Sequence, residues 1–345
     1  MVKRREEDLL ATCFQEVTGL APDAISPLSP HASERKIYRL SQGALQLIGV
    51  INSNRPENDA FVAFAEHFLG VGLPVPKIHS YVPDQGLYLE DDLGDVTLLD
   101  YLAGERARTG ERFPQSALSM YKKALEYLPR FQIEAASTLD FSRCLPPNEF
   151  FTHTLVHDVN SFSSELVARL LPSADTTTLT KDFDALISFL SSTPKDFFVY
   201  RDFQSRNIMV RDEQLFFIDF QSGLRGPLQY DVVSLLYQSS AQIPEEARAE
   251  LISSYIASAR QHIDLDQEEF LRYLPGFVVS RMLQVLGVYG RQGLGAKKDY
   301  FMKSIPLALE TLHQQLTSRD FPLKLHGLTA CSQALLKALT EDKSS

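Results

Sequence analysis

Cysteine is scarce in this 345-residue chain: Cys13, Cys144 and Cys331 are its three, odd in number and far apart, with no C-x-x-C pair. That pattern excludes a disulfide framework and a cysteine-built zinc site, and the three read as reduced thiols of a cytoplasmic protein. Long apolar runs are missing too. No stretch approaches the roughly 20 residues that a bilayer crossing needs. The opening MVKRREEDLL carries acids where a secretory signal needs an apolar run. Excess positive charge is also absent: 34 Lys and Arg stand against 44 Asp and Glu, a formal net charge of -10, which argues against nucleic acid or an anionic membrane as partner. There is no internal repeat and no low-complexity tract. With 44% hydrophobic and 23% charged residues, the chain has the composition of a soluble globular protein long enough for two domains.

The most informative stretch runs from Phe197 to Asp231, FFVYRDFQSRNIMVRDEQLFFIDFQSGLRGPLQYD. Two apolar runs, Phe197 to Tyr200 and Leu215 to Phe220, read as buried strands, with Arg201 to Met209 as a polar loop between them. Asp202, Asn207 and Asp219 then fall at strand ends, where side chains can converge on a ligand. Each taken singly reads as a turn or cap residue, so the ordered set carries the information. The order Asp202, Asn207, Asp219-Phe220-Gln221 resembles the H-R-D-x-x-x-x-N and D-F-G pair of kinases, whose phosphoryl transfer needs a carboxylate beside the attacking hydroxyl and hard oxygen ligands for magnesium. The resemblance implies that Asp202 orients the hydroxyl and accepts its proton, while Asn207 and Asp219 hold the metal.

Along the chain, Glu6 to Thr18 has helical apolar spacing, and Pro22 to Pro30 reads as a linker-like turn region. Glu34 to Leu40 and Ala44 to Ile51 form an expected antiparallel hairpin, Asp59 to Leu69 a helix, and Ile78 to Val82 with Gly86 to Glu90 a second hairpin. From Thr97 the pattern is helical: Thr97 to Ala103, Pro114 to Ala136, Asn148 to Leu171 and Thr178 to Leu190 come before the central stretch. Val232 to Ser240, Pro244 to His262, Asp266 to Gly290, Lys298 to Leu316 and Ala330 to Leu339 follow it.

Tyr200-Arg201-Asp202 with Asn207, followed by Asp219-Phe220-Gln221, resembles the kinase pair H-R-D-x-x-x-x-N and D-F-G. Together with Ala32 to Arg39, Leu89 to Asp95, Gly226-Pro227 and Arg281 to Arg291, it resembles the aminoglycoside phosphotransferase family, an offshoot of the protein kinase fold. Within that family the likeness is closest to the anomeric kinases of N-acetylmuramate and N-acetylglucosamine in cell-wall recycling. The resemblance implies an α+β, protein-kinase-like two-lobe fold. Residues 1–92 would be a small antiparallel-sheet lobe that binds nucleotide, and residues 93–345 a mostly helical lobe for catalysis and substrate.

Carried over residue by residue, the resemblance makes Asp202 the base and gives Asn207 and Asp219 the magnesium. Asp231 becomes a structural residue that binds the backbone of the catalytic loop or caps the helix at Val232. Arg206 either neutralises phosphate near the substrate or lies solvated. Gln221, in place of the glycine of D-F-G, either hydrogen-bonds substrate or ends the strand. Arg281 and Gln284 either reach a sugar carboxylate or hydroxyl or make local pairs. Adenine is expected against the main chain between Glu90 and Leu93, at Asp91 and Leu93.

Three features depart from the family pattern. Tyr200 stands where His is usual, a place that packs rather than transfers protons. Ile48 fills the slot of the phosphate-binding Lys, which leaves Arg35 and Arg39, then Lys36, as substitute cations. The segment Ser29-Pro30-His31-Ala32-Ser33 lacks the glycines of a phosphate loop, so Ser33 would supply hydroxyl and amide donors instead. His153 and His157 stand four apart without a third zinc ligand, and Gly290 to Gly295 reads as an interhelical loop.

The chain is therefore expected to be an ATP- and magnesium-dependent kinase that phosphorylates a hydroxyl of a small molecule, first an amino sugar at its anomeric carbon. The alternative acceptor is an aminoglycoside or another small alcohol. A catalytically weak nucleotide-binding scaffold or sensor is the alternative of another class; the missing Lys favours it, and the intact Asp202, Asn207 and Asp219 oppose it.

Overall fold

The computed structural model describes residues 2–28, 35–145, 151–173 and 177–341. The chain divides into two compact units, one made of Met1–Asn148 and Ser205–Gly223, the other of Glu149–Gln204 and Leu224–Ser345. Each unit is thus assembled from two separate stretches of sequence.

In the first unit, helix α1 (Val2–Thr18) precedes a five-stranded antiparallel sheet of β1 (Ala24–Leu28), β2 (Lys36–Gln42), β3 (Leu45–Ile51), β4 (Ile78–Val82) and β5 (Leu87–Asp91), in the order β1-β2-β3-β5-β4. Helix α2 (Arg55–Gly70) joins β3 to β4. Alternation along β2 sends Tyr38 and Leu40 inward, where they pack with Leu47, Leu87 and Leu89 against Leu10, Cys13 and Phe14 of α1. That packing leaves no room at Gly49: a Cβ there would come within 2.5 Å of Leu10 Cδ2 and 2.7 Å of Leu40 Cδ1.

The stretch expected as a linker, Pro22 to Pro30, instead contains β1, paired with β2 from Ala24↔Ser41 to Leu28↔Ile37. Pro27 has no N–H to give to a ladder, and since β1 lies at the sheet edge, that missing donor costs no central pairing.

Helices α3 (Leu98–Thr109) and α4 (Gln115–Pro129) complete the contiguous part of the first unit. The second unit opens with α5 (Phe151–Phe162), the short α6 (Ala168–Leu170), α7 (Thr177–Ser191) and strand β6 (Phe197–Val199). The hairpin of β7 (Ile208–Arg211) and β8 (Gln214–Phe217) belongs to the first unit. Strand β9 (Leu224–Gly226) and helices α8 (Gln229–Leu236), α9 (Glu245–Ala259), α10 (Gln267–Tyr289), α11 (Asp299–Thr317) and α12 (His326–Glu341) finish the second.

The two central strands do not pair with each other. β6 pairs with β9, and β8 pairs with β7, whose residues were expected to end the polar loop. The hairpin is set by Asp212 and Glu213, both at positive φ (50° and 58°), the backbone of a two-residue turn matched to strand twist. Gly290–Gly295 is likewise no loop but a wide helical turn that prolongs α10. A Cβ at Gly290 would collide with the Glu165 carbonyl, so glycine permits this close packing.

Candidate active site

The β7–β8 hairpin places two of the predicted ligands side by side. Ile208 pairs with Phe217 at its open end, and Ile218 N–H donates to the Asn207 carbonyl at 3.1 Å. Asn207 and Asp219 therefore leave the same end of the hairpin, and Asn207 Nδ2 lies 3.3 Å from Asp219 Oδ2. The neighbouring Phe220 is fully buried, stacked on Phe61 at 4.8 Å between centroids and set edge-on to Phe68 at 5.3 Å, both from α2. Phe220 so anchors a residue whose backbone is unusual, since Asp219 has φ 70°.

Three donors converge on the Asp219 carboxylate. Besides Asn207, Gln221 Nε2 donates to Oδ1 at 2.8 Å and Arg35 Nη1 at 3.2 Å. Arg35 also binds Glu57, in the first turn of α2, through Nη2. Asn52 holds Glu57 from the other side, with Nδ2 3.1 Å from Oε2. Burial works against the Arg35 charge, but Tyr88, Asp219 and Glu57 outweigh it and keep its pKa above the ordinary value. A helix carboxylate thus pairs with a cation that also reaches Asp219, although the cation comes from the residue before β2 and not from the slot of Ile48.

Glu57 was not singled out from the sequence. Its signal was available: Asn54 caps α2, with Oδ1 accepting from Glu57 N–H at 3.4 Å, and an acid three residues after the cap is a helix-start pattern.

Asp219 and Asn207 offer hard oxygens that suit magnesium, given that an asparagine amide presents either its oxygen or its nitrogen on a simple flip. Among the described residues no group of three or more His, Cys, Asp and Glu could hold a metal. Two protein oxygens would leave the rest of an octahedral shell to phosphate and water, which is how magnesium is usually shared with nucleotides.

The other candidates in this unit are placed as follows. Arg39 is occupied by Asp92 and by Asp95 Oδ1, the latter at 2.8 Å. Asp91 accepts from His79 Nε2 at 2.7 Å and from Lys77 N–H at 3.0 Å, while its own N–H donates to the Lys77 carbonyl. Leu93 is buried after β5, and Arg206 is half-buried in the turn Ser205–Asn207. Ser33 lies outside the described residues.

On β5, Glu90 carries a buried Oε2 without a hydrogen-bond partner among the described residues. Burial pushes its carboxyl up to about 8 from an ordinary 4.5; Arg35 opposes this, and Asp91, Asp219 and Asp92 reinforce it. The folded-state value lies above the unfolded one, so the stability contributed by Glu90 is complete below about pH 4.5 and is lost as pH rises to about 8. Between pH 5 and 8.5 the wild-type melting temperature should fall more than that of Glu90→Gln. Parallel slopes in a differential scanning titration of the two proteins would contradict this.

In the second unit, the loop after β6 is held from behind. Asp231, fully buried at the start of α8, accepts from Tyr200 N–H at 2.8 Å and Arg201 N–H at 3.0 Å. The Arg201 carbonyl accepts from Ser234 Oγ and from Arg281 Nη1, each at 3.4 Å. These bonds support Arg201 at φ 69° and set the following Asp202, half-buried, whose Oδ1 accepts from Gln204 Nε2 at 3.2 Å. Tyr200 is wholly buried and packs edge-on against Phe203 at 5.3 Å, a space-filling part.

Arg281 points into the protein, 4% exposed, and donates through Nη1 to Tyr230 Oη at 3.2 Å as well as to the loop. Its α10 neighbour Gln284 is half-buried. The sequence also gave no weight to Asp158 of α5, which is 5% exposed. Burial raises the pKa of its carboxyl, against the opposing pull of Arg201, His157 and Arg281. His153 and His157 are exposed on α5, and His157 lies 3.5 Å from Asp158 Oδ1.

A five-stranded antiparallel sheet, a helix carboxylate paired to a cation, and an aspartate flanked by asparagine are the features of a phosphotransferase of the protein-kinase-like class. The profile of the phosphotransferase enzyme family, the aminoglycoside phosphotransferases, matches residues 25–271, and the chain belongs to that family. It is accordingly an enzyme that transfers a phosphoryl group to a hydroxyl. Among curated relatives, an N-acetylmuramate/N-acetylglucosamine kinase of Pseudomonas aeruginosa is 28% identical over 90% of this chain and 88% of its own length. Proteins of the same description from Neisseria meningitidis and Pseudomonas putida are 28% and 24% identical over 70% and 91% of this chain, and 70% and 90% of their own lengths. Among solved structures, an amicoumacin kinase superposes with a TM-score of 0.64 at 16% identity, covering 95% of this chain and 99% of its own. A choline kinase from Streptococcus pneumoniae gives 0.61 at 14% identity, with 89% and 99% covered. These two show the same fold. Among the described residues no helix is long and apolar enough to cross a membrane.

Proposed function

We propose that the protein transfers the γ-phosphoryl group of ATP to the anomeric hydroxyl of N-acetylmuramate or N-acetylglucosamine. The observation that carries the phosphoryl-transfer part is the convergence of Asn207, Gln221 and Arg35 on Asp219. The names of the three curated relatives support the choice of acceptor. Magnesium, when bound, would offset the negative charge that develops during transfer.

The protein's own residues have distinct parts in this scheme. Asp202 orients the acceptor hydroxyl and takes its proton. Asp219 and Asn207 would hold the metal, with Gln221 fixing the Asp219 carboxylate. Arg35 supplies the positive charge that the family draws from a lysine, and Glu57 keeps its guanidinium in place.

The test is turnover on a panel of N-acetylmuramate, N-acetylglucosamine, aminoglycosides and choline with ATP and magnesium, with the product read by phosphorus NMR. A sugar 1-phosphate is expected. Transfer only to an aminoglycoside or choline, or to nothing, would overturn the proposal. Arg35→Met should raise the KM for ATP about tenfold or more, as expected for losing a charge-assisted hydrogen bond, and Arg35→Lys should recover part of it. An unchanged KM for ATP in Arg35→Met would remove Arg35 from the nucleotide site.

A further inference from the structure

Helices α5 and α10 run side by side in the same direction. A Cβ at Gly287 would lie 2.6 Å from Ser161 Oγ and 3.0 Å from Phe162 N, and one at Gly290 would strike the Glu165 carbonyl. Residue 287 is thus level with 161–162, and residue 290 with 165. One helical turn earlier on both helices, the same register brings Gln284 level with Asp158.

The chemistry changes abruptly there. Glycine lets the helices close up at 287, but the turn before it carries polar atoms that the protein does not satisfy. Asp158 Oδ2 and Gln284 Oε1 are both buried and lack a hydrogen-bond partner among the described residues. A buried polar group costs free energy unless it is bonded, so two in one turn of the seam call for an explanation. The amide oxygen only accepts, and the carboxylate accepts when ionised, so a donor completes both.

Charge decides which donor fits. Arg281 is already bound in this seam, to the Arg201 carbonyl and to Tyr230 Oη, so positive charge is at hand. An ammonium group would add more beside it. A neutral hydroxyl or amide N–H would satisfy the acceptors without adding any. The seam is also tied to the loop that carries Asp202, because Arg281 donates to the Arg201 carbonyl.

Resting on the amino-sugar reading above, we infer that Asp158 and Gln284 form a socket in the α5–α10 seam that binds ring hydroxyl or N-acetyl N–H groups of the acceptor. They are binding residues, and Arg281 is a positioning residue that holds the socket against the loop. The socket selects a neutral, hydroxyl-rich acceptor over a polycationic one.

The experiment uses the full chain with N-acetylglucosamine and its 3-, 4- and 6-deoxy and 2-deoxy analogues as acceptors, comparing wild type with Asp158→Ala and Gln284→Met. In each variant the KM for N-acetylglucosamine should rise about tenfold or more, as for an unmade hydrogen bond to a buried partner, while the KM for ATP stays within about twofold. One analogue should already be poor with wild type and should lose nothing further in the variant that removes its partner. The thermal shift on adding ATP reports folding of each variant. If Asp158→Ala does not fold, Gln284→Met with the same analogues decides.

An acceptor KM within about twofold of wild type in the folded variants would overturn the socket, as would equal losses for every analogue in wild type and variant. The second result would mean that a trapped water and not the sugar completes these atoms. A wild-type enzyme inactive on every amino sugar would instead overturn the function proposed above, and the socket with it.

Discussion

Asp202→Asn should lower kcat by about two to four orders of magnitude, the contribution of a positioned general base, and leave ATP affinity unchanged within about twofold. The substitution keeps the shape of the side chain and an oxygen for the bond from Gln204 Nε2. It removes the negative charge and with it the capacity to take a proton. Burst-free turnover with saturating acceptor, together with calorimetric titration of ATP, separates the two effects. Activity within about tenfold of wild type would show that another group, or solvent, takes the proton.

The second large effect is expected for stability. Asp231 is fully buried, and its two carboxylate oxygens accept from the N–H groups of Tyr200 and Arg201. Asp231→Ala takes that acceptor away from two backbone donors, one of them in a residue at φ 69°. Each buried donor deprived of its partner costs about 1–3 kcal/mol, so a loss of about 3–5 kcal/mol is expected, a large part of the stability of an ordinary domain. Asp231→Asn keeps one oxygen but turns an NH2 group toward the other donor, so it should fall between. Urea unfolding monitored by circular dichroism gives the ranking. A loss under about 1 kcal/mol in the alanine variant would mean that Asp231 does not hold the loop.

The two effects are separable because Asp202 and Asp231 act differently on one loop. Asp231, Ser234 and Arg281 fix the backbone at Tyr200 and Arg201, and Asp202 extends from that fixed backbone. Losing the support should reduce both stability and turnover, whereas losing the carboxylate should reduce turnover alone.

Much of this molecule could be read from residue order, and the boundary of that legibility is physical. The family and the fold class follow from local patterns: the alternation along β2 and β3, the apolar spacing of the long helices, and the spacing of Asp202, Asn207 and Asp219 within a few turns of chain. Such patterns survive in sequence because neighbouring residues must suit one element. The reading of Pro22 to Pro30 as a turn region missed β1, because whether a proline-bearing stretch can pair at a sheet edge is decided by its neighbours in the sheet and not by the stretch itself.

What the tertiary structure alone decided is pairing over long separations and direction on crowded helices. Arg35 meets Asp219, 184 residues away, and Glu57, 22 residues away, and nothing in the spacing of the three announces a shared ion pair. Helix α10 is apolar on several sides, with Phe277, Val278, Val279, Met282, Leu283 and Leu286 all buried. A helix packed on several partners has no single polar face, so its periodicity does not tell which way Arg281 or Gln284 will point. Residue order alone therefore settled the kind of protein. Only the folded chain decided which cation stands beside Asp219, which arginine backs the loop, and that Asp158 lies across from Gln284, because those depend on which surfaces meet.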